Sequence, residues 1–163
     1  MASLARSVLD MMRLRSGPQD LPASRTLTVI LAIAYVSQGF VAGSVLGEPD
    51  SAPRTILAIA VQFGVVLAML NMRNLQQRVD QTISALSATG FLFSVVSIAV
   101  LSRLQPGETD PNVALIYLAL FIWSLIVDAH IYRHAFSFKM SMGVLVSVSI
   151  FAANLVLLQM VFG

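Results

Sequence analysis

The residues best suited to chemistry in this chain are polar side chains that interrupt long apolar stretches. They are Gln38, Gln62, Asn71, Asp128, Asn154 and Gln159. Amide groups bind polar solutes or link neighbouring helices by hydrogen bonds, and a carboxyl group binds cations or carries protons. His130 and His134 are four residues apart and would share a helix face, a spacing that metal sites use.

The apolar stretches around these residues are each about as long as a bilayer is thick, since about 20 helical residues cross its hydrocarbon core. The chain of 163 residues is 57% hydrophobic and 11% charged, which excludes a water-soluble domain. Only helices or closed barrels satisfy their own backbone in lipid. We therefore predict an all-α, polytopic transmembrane bundle with five spans, at about residues 27–46, 54–72, 83–101, 113–131 and 140–162. The last stretch is rich in polar residues, and a re-entrant helix is the alternative there.

Gln38, Gln62 and Asp128 form a candidate polar path through such a bundle, because polar groups inside spans are costly and often functional. For the two glutamines the alternative is hydrogen bonding between helices. Asp128 lies near the inner end of the fourth stretch, so its alternative is a carboxylate at the headgroups that pairs with Arg133 or Lys139.

Nothing in the sequence indicates an enzyme. There is no cysteine, no glutamate follows His130 as in an HExxH helix, and no phosphate-binding or nucleophile-elbow motif occurs. We expect no catalytic residues, no cofactor and no metal site. The two histidines fit better in an interfacial belt with Tyr132, Phe136 and Phe138.

Small residues recur along the first two spans. Gly39, Gly43 and Gly47 are spaced by four in the first span, and a similar strip in the second comprises Ala60, Gly64 and Ala68. Such strips let helix backbones approach closely in lipid. The glycine strip predicts a helix-packing surface, used either within the monomer or as the interface of an oligomer.

The basic residues predict the orientation. Before the first span and in the segments after the second and fourth spans the sequence has eight Lys or Arg residues, whereas the other side has only Arg54 and Arg103. The positive-inside rule then places the N-terminus in the cytoplasm and Gly163 outside, most simply in a bacterial inner membrane. Because the basic residues lie between apolar segments, we expect no nucleic-acid partner. The connecting loops at 47–53 and 105–111 are short, acidic turns.

Residues 1–23 form a separate element, a cytoplasmic amphipathic helix and a proline-rich connector ahead of the transmembrane domain at 24–163. The apolar face of the helix comprises Leu4, Ala5, Val8, Met11 and Met12, and the polar face comprises Ser3, Arg6, Asp10 and Arg13. We predict a helix that lies in the membrane interface, with a docking surface for a protein partner as the alternative. Gly17 and Pro18 end it, and Ser24 is the expected N-cap of the first span.

A cytoplasmic N-terminal region, five closely spaced spans, minimal loops and no catalytic signature resemble the Yip1-like family of small integral membrane proteins. The segment 14–22 is similar in placement to the proline-containing entry segment of that family. The resemblance implies a non-enzymatic role through protein and lipid contacts, and it carries no functional residues with it.

Two functions follow as expectations. The first is a scaffold or assembly partner that uses the amphipathic helix and the glycine strip to contact the lipid bilayer, a second copy or another membrane protein. The alternative is a small transporter or channel in which Gln38, Gln62 and Asp128 line a path.

Overall fold

The computed structural model describes residues 4–47, 50–102 and 110–163. Within them the chain is all-helical, with no strand. The helices in chain order are α1 (Leu4–Met12), α2 (Arg25–Val45), α3 (Ser51–Met72), α4 (Val79–Leu101), α5 (Pro111–Ala135) and α6 (Met140–Phe162). Short 3-10 turns, Pro18–Asp20 and Gln76–Arg78, precede α2 and α4.

The five long helices are long and apolar enough to cross a membrane, so this is an integral membrane protein. The helices α2 to α5 begin two to four residues earlier than predicted, because their first turns include polar residues that precede the apolar stretches. Ser24 accepts a hydrogen bond from the amide of Leu27, as expected of an N-cap. Asp110 caps α5 just before Pro111, which fits the first turn of a helix. The last segment is one continuous helix.

The long helices form a ring in the order α2, α3, α6, α5, α4, and each helix packs on its two neighbours in the ring. Consecutive helices run in opposite directions, so α2, α4 and α6 begin at the same end. We call this the basic end, because Arg25, Arg78, Arg133 and Lys139 lie there. At this end α2 is fastened to α4 by an Arg25–Asp80 ion pair at 3.1 Å and by a hydrogen bond of 3.0 Å between Thr28 and Ser84.

Small residues set the closest helix approaches in the ring. A Cβ atom added to Gly39 would collide with Thr55, and one added to Gly43 would collide with Ser51, so these glycines face α3. Gly47 lies beyond the end of α2 with a φ of 67° and nothing nearby, so it shapes the turn and packs on no helix. Two residues of the predicted glycine strip therefore pack within the chain.

The second predicted strip does not pair with the first. Ala60, Gly64 and Ala68 of α3 are exposed on the outer surface of the ring, and no atom lies within 4 Å of an added Cβ at Gly64. The reason is the rotation of α3, which turns Ser51 and Thr55 toward α2. A different small pair forms the α5–α6 contact: Gly143 packs on the backbone of Ala129, and Ser147 donates a hydrogen bond of 3.0 Å to the carbonyl of Leu125.

The amphipathic segment is helical, but its apolar face contacts protein. Val8, Met11 and Met12 are buried against α4 and α5. Trp123, in the middle of α5, donates a hydrogen bond of 3.0 Å from Nε1 to the carbonyl of Met12. Helix α1 therefore lies beside the bundle, and this differs from the prediction of a helix whose apolar face enters lipid. The physical reason is that α4 and α5 offer an apolar groove that this face fills. Ser3 of the predicted polar face lies outside the described residues.

Substituting Gly43 tests the α2–α3 contact. Gly43→Leu should lower the free energy of unfolding by about 1–3 kcal/mol, because the added side chain overpacks against Ser51. Thermal melting of the detergent-purified protein measures this. Gly64→Leu is the matched control and should melt within about 2 °C of the wild type, since its site is open. Equal losses in the two variants would contradict the assignment of Gly43 to this contact.

Substituting Met11 tests the position of α1. Met11 is fully buried whereas Leu9 on the same helix is 47% exposed. Met11→Ser should cost about 2 kcal/mol or more of stability, and Leu9→Ser should cost clearly less. Thermal melting in detergent compares them. If Leu9→Ser were the more damaging, α1 would present the opposite face to the bundle, which would contradict this packing.

Candidate functional site

The ring contains an open cavity of about 390 Å³. Side chains from α2, α3, α4 and α5 line it, and the lining runs from the ends of these helices opposite the basic end down to Asp128. We call it the membrane cavity. It lies within the membrane-spanning part of the chain, where a packed apolar interior would be the simpler arrangement.

The deep end of the membrane cavity holds a three-residue polar network. Gln62 donates from Nε2 to the hydroxyl of Tyr132 at 3.0 Å and to Oδ2 of Asp128 at 3.4 Å. Tyr132 is almost fully buried, whereas Asp128 is only partly buried and lines the cavity. The amide of Gln62 thus holds one carboxylate oxygen of Asp128, and the other oxygen can bind a ligand in the cavity.

Asp128 lies deeper in the bundle than expected from the sequence. Its partner Gln62 is near the middle of α3, far from either helix end. Neither Arg133 nor Lys139 forms an ion pair with it among the described residues, where the ion pairs are Arg6–Asp10 and Arg25–Asp80. The headgroup interpretation rested on a span that ends near Ile131, but the helix continues to Ala135.

Gln38 does not join this network. It is half-buried on α2 and does not line the membrane cavity, whereas Tyr35 and Gly39 of the same helix do. Two of the three residues of the predicted polar path are therefore together in the structure, and the third is separate from them.

Hydroxyl groups extend the polar lining away from Asp128. They come from every helix around the membrane cavity and belong to Tyr35, Ser51, Thr55, Ser94, Ser97, Tyr117 and Ser124. Arg54 adds one cation near the far end, where Nη2 donates to the carbonyl of Phe162 at 3.2 Å and the guanidinium lies over the Phe162 ring. The Nε atom of Arg54 is buried without a hydrogen-bond partner among the described residues. The cavity therefore offers a carboxyl group at one end, a guanidinium at the other and hydroxyls between them.

Toward the basic end the interior of the ring is filled. Val66 and Leu70 of α3, Leu86 of α4 and Val127 and Ile131 of α5 are buried and belong to one apolar core. Interiors packed in this way exclude water. The membrane cavity consequently has a floor at Gln62, Asp128 and Tyr132, where the apolar core begins.

The two histidines have structural contacts. His130 is buried, with Nε2 2.8 Å from the carbonyl oxygen of Ser16, and its ring meets that of His134 edge to face at 4.7 Å. This contact ties the segment after α1 to α5. The described residues contain no group of three or more His, Cys, Asp or Glu side chains suited to a metal ion.

Sequence reasoning assigned Tyr132 to an interfacial belt, whereas the structure buries it beside Gln62, and it did not single out the serines of the cavity wall. Ser124, Asp128 and Tyr132 recur at a spacing of four, which aligns them on one face of α5. Ser94 and Ser97, three apart, share a face of α4 in the same way. A search for polar residues at helical spacing would have found both sets, but single serines and tyrosines in spans carry little signal individually.

Comparison of the chain with protein-family models, with curated proteins and with solved structures found no match. The resemblance to the Yip1-like family therefore stays a prediction. The function has to be argued from the membrane cavity and from the surfaces of the bundle.

Cysteine accessibility tests whether the membrane cavity holds water, and the absence of native cysteine makes every introduced thiol unique. Ser97→Cys places a thiol on the cavity wall, and Val96→Cys places one on the exposed outer face of the same helix turn. In liposomes we expect a charged methanethiosulfonate reagent to modify the Ser97→Cys variant at least about ten times faster, because thiols react as thiolates, which form in water and not in lipid. Equal rates in the two variants would contradict a hydrated cavity.

Proposed function

We propose that this protein moves a proton or a small cation across the membrane and that Asp128 is the binding group. The observation that carries the proposal is the partly exposed Asp128 carboxyl at the floor of a polar cavity inside a membrane bundle. A carboxyl group at such depth is costly, and the described residues offer it no cationic partner in contact. A bound proton or cation would offset that cost.

The arrangement around Asp128 supports a gated carrier more than an open pore. An apolar core lies between Gln62 and the basic end, and the cavity lining runs to the opposite end, which supports access to Asp128 from that opposite side. A carrier with alternating access requires a site of this kind near mid-depth between packed helices. Movement of α3 against α5 would break the Gln62 hydrogen bonds and connect the site with the basic end.

The same proposal includes the location. We place the protein in a bacterial inner membrane with the basic end in the cytoplasm, following the distribution of Lys and Arg. Arg25, Arg73, Arg78 and Lys139 flank the helix termini at the basic end, and Arg54 lies at the other. Arg103 lies outside the described residues. The membrane cavity then faces the periplasm, and Gly163 lies on the periplasmic side.

A role as scaffold or assembly partner is the second candidate. The two surfaces proposed for it, the glycine strip and the apolar face of α1, are largely occupied within the chain. The exposed strip of Ala60, Gly64 and Ala68 supports a contact with a second copy or another membrane protein, since small residues favour helix association in lipid. Ala68→Leu should then reduce the particle size in mild detergent, and an unchanged size would remove this surface from consideration.

Flux measurements test the transport proposal. Purified protein is reconstituted into liposomes that contain pyranine, and a valinomycin-induced potassium potential drives proton entry; a parallel assay follows uptake of radioactive sodium. We expect the wild type to exceed protein-free liposomes in one of the two assays. Asp128→Asn should lower that flux at least about ten-fold, because it removes the charge that binds the cation. Gln62→Leu should lower it less.

Asp50→Asn is the matched control, because Asp50 is exposed and its side chain makes no capping hydrogen bond. It should retain wild-type flux. The melting temperature and size of each variant show whether it is folded. Wild-type flux equal to that of empty liposomes in both assays, or full flux in folded Asp128→Asn, would overturn the proposal.

A further inference from the structure

A second concave site lies at the basic end, separate from the membrane cavity. Its volume is about 640 Å³, and it lies between the start of α4, the end of α5 and the start of α6. We call it the basic pocket. Its polar lining comprises Gln19, Arg78, Gln81, Thr82, Arg133, His134, Ser137 and Lys139, and no carboxylate is among the lining residues.

Three cations converge on the basic pocket from three different elements. Arg78 precedes α4, Arg133 is in the last turn of α5, and Lys139 precedes α6. Neither Arg133 nor Lys139 forms an ion pair among the described residues. The positive-inside rule accounts for the sign of the charge at this end, but not for the convergence of three cations on one concavity.

Arg78 is held in place for such a role. Its Nη1 atom donates to the carbonyls of His134 and Ala135 at 3.1 Å each and to the hydroxyl of Ser137 at 2.8 Å. These bonds satisfy two carbonyl groups in the last turn of α5 and fix the guanidinium at the pocket wall. They all come from one nitrogen, so the remaining donors of the guanidinium stay available for a planar, two-oxygen acceptor such as phosphate.

The start of α6 adds positive potential. Met140 lines the basic pocket, and the N-cap residue Lys139 has no side-chain oxygen to accept a hydrogen bond from the first amides of the helix. Free amides at a helix N-terminus attract anions. The walls also include apolar surface from Phe138 and Met140, and the Arg73 guanidinium lies 4.5 Å over the Phe138 ring beside them.

We propose that the basic pocket binds a phosphate-bearing anion, and specifically the headgroup of an anionic phospholipid. Basic pockets between transmembrane helices bind such headgroups, because lipid phosphates lie at this depth and gain about 1 kcal/mol from each nearby Lys or Arg. A pocket of this volume accommodates more than one phosphate group, which favours a lipid with two phosphates, such as cardiolipin. The apolar wall at Phe138 and Met140 would contact the start of its acyl chains.

The test measures lipid binding by the full-length protein. Native mass spectrometry of detergent-solubilised protein is titrated with cardiolipin, phosphatidylglycerol or phosphatidylcholine, and thermal melting is recorded with each lipid. We expect cardiolipin to bind most tightly and to raise the melting temperature. The double variant Arg133→Gln/Lys139→Gln should bind cardiolipin at least about ten times more weakly, because it removes two of the converging cations.

The matched control is Arg13→Gln/Arg15→Gln, which removes the same charge from exposed residues that do not line the basic pocket. It should change cardiolipin affinity less than about two-fold. The charge-preserving variant Arg133→Lys/Lys139→Arg should retain binding and guards against a folding defect. Inorganic phosphate and glycerol 3-phosphate are titrated in parallel in the melting assay. A higher melting temperature with either one at millimolar concentration would assign the same phosphate site to a soluble ligand instead of a lipid.

Two results would overturn the proposal. Equal weakening by the Arg13/Arg15 pair would mean that binding follows the total charge of this end of the molecule. No preference of the wild type for cardiolipin or free phosphate over the zwitterionic phosphatidylcholine would mean that the basic pocket does not select an anionic phosphate. Both results are independent of proton or sodium flux, so the pocket and the transport proposal fail or succeed separately.

Discussion

Lipid offers no hydrogen bonds, and this constraint decides most of the structure. Each backbone amide and carbonyl within the bilayer must find a partner in the chain, so each of the five spans is a continuous helix. Polar side chains obey the same rule. Thr89 and Thr82 bond to carbonyls of their own helix, and Ser147 bonds to a carbonyl of its neighbour. The carboxyl group of Asp128 accepts one hydrogen bond, from Gln62, and the described part of the fold places no cation in contact with it.

The ring of helices divides the interior into a packed half at the basic end and an open, polar half at the other end. Close approaches at Gly39 and Gly43 join α2 to α3 and one at Gly143 joins α6 to α5, while the interior opposite the basic end stays open and polar. The packed half provides a rigid floor, and the open half provides access to Asp128. At the basic end, cations that orient the chain also surround the basic pocket. A lipid headgroup in the basic pocket would thus contact Arg133, which lies on the same helix as Asp128.

The sequence predicts the coarse fold well, because the length and apolarity of each span are local properties. The five helices, the N-cap at Ser24 and the helix at residues 4–12 can all be read from short windows. Which faces meet cannot be read in this way. The strip at Gly64 is as small as that at Gly43, yet only rotation of α3 decides that Ser51 and Thr55 face α2. Asp128 and Gln62 were recognised by type, but their pairing depends on the ring order, and Tyr132 was assigned to an interfacial belt for the same reason.

The central claim is that Asp128 is reached by water from one side of the membrane, and the most direct measurement is the sidedness of a thiol placed there. Asp128→Cys in the naturally cysteine-free chain is reconstituted in one orientation and treated with a membrane-impermeant thiol reagent from either side. The account predicts modification from the side opposite the basic end, and protection from the basic side by the core at Val66, Leu86 and Ile131. Modification only from the basic side, or from neither side, would contradict it.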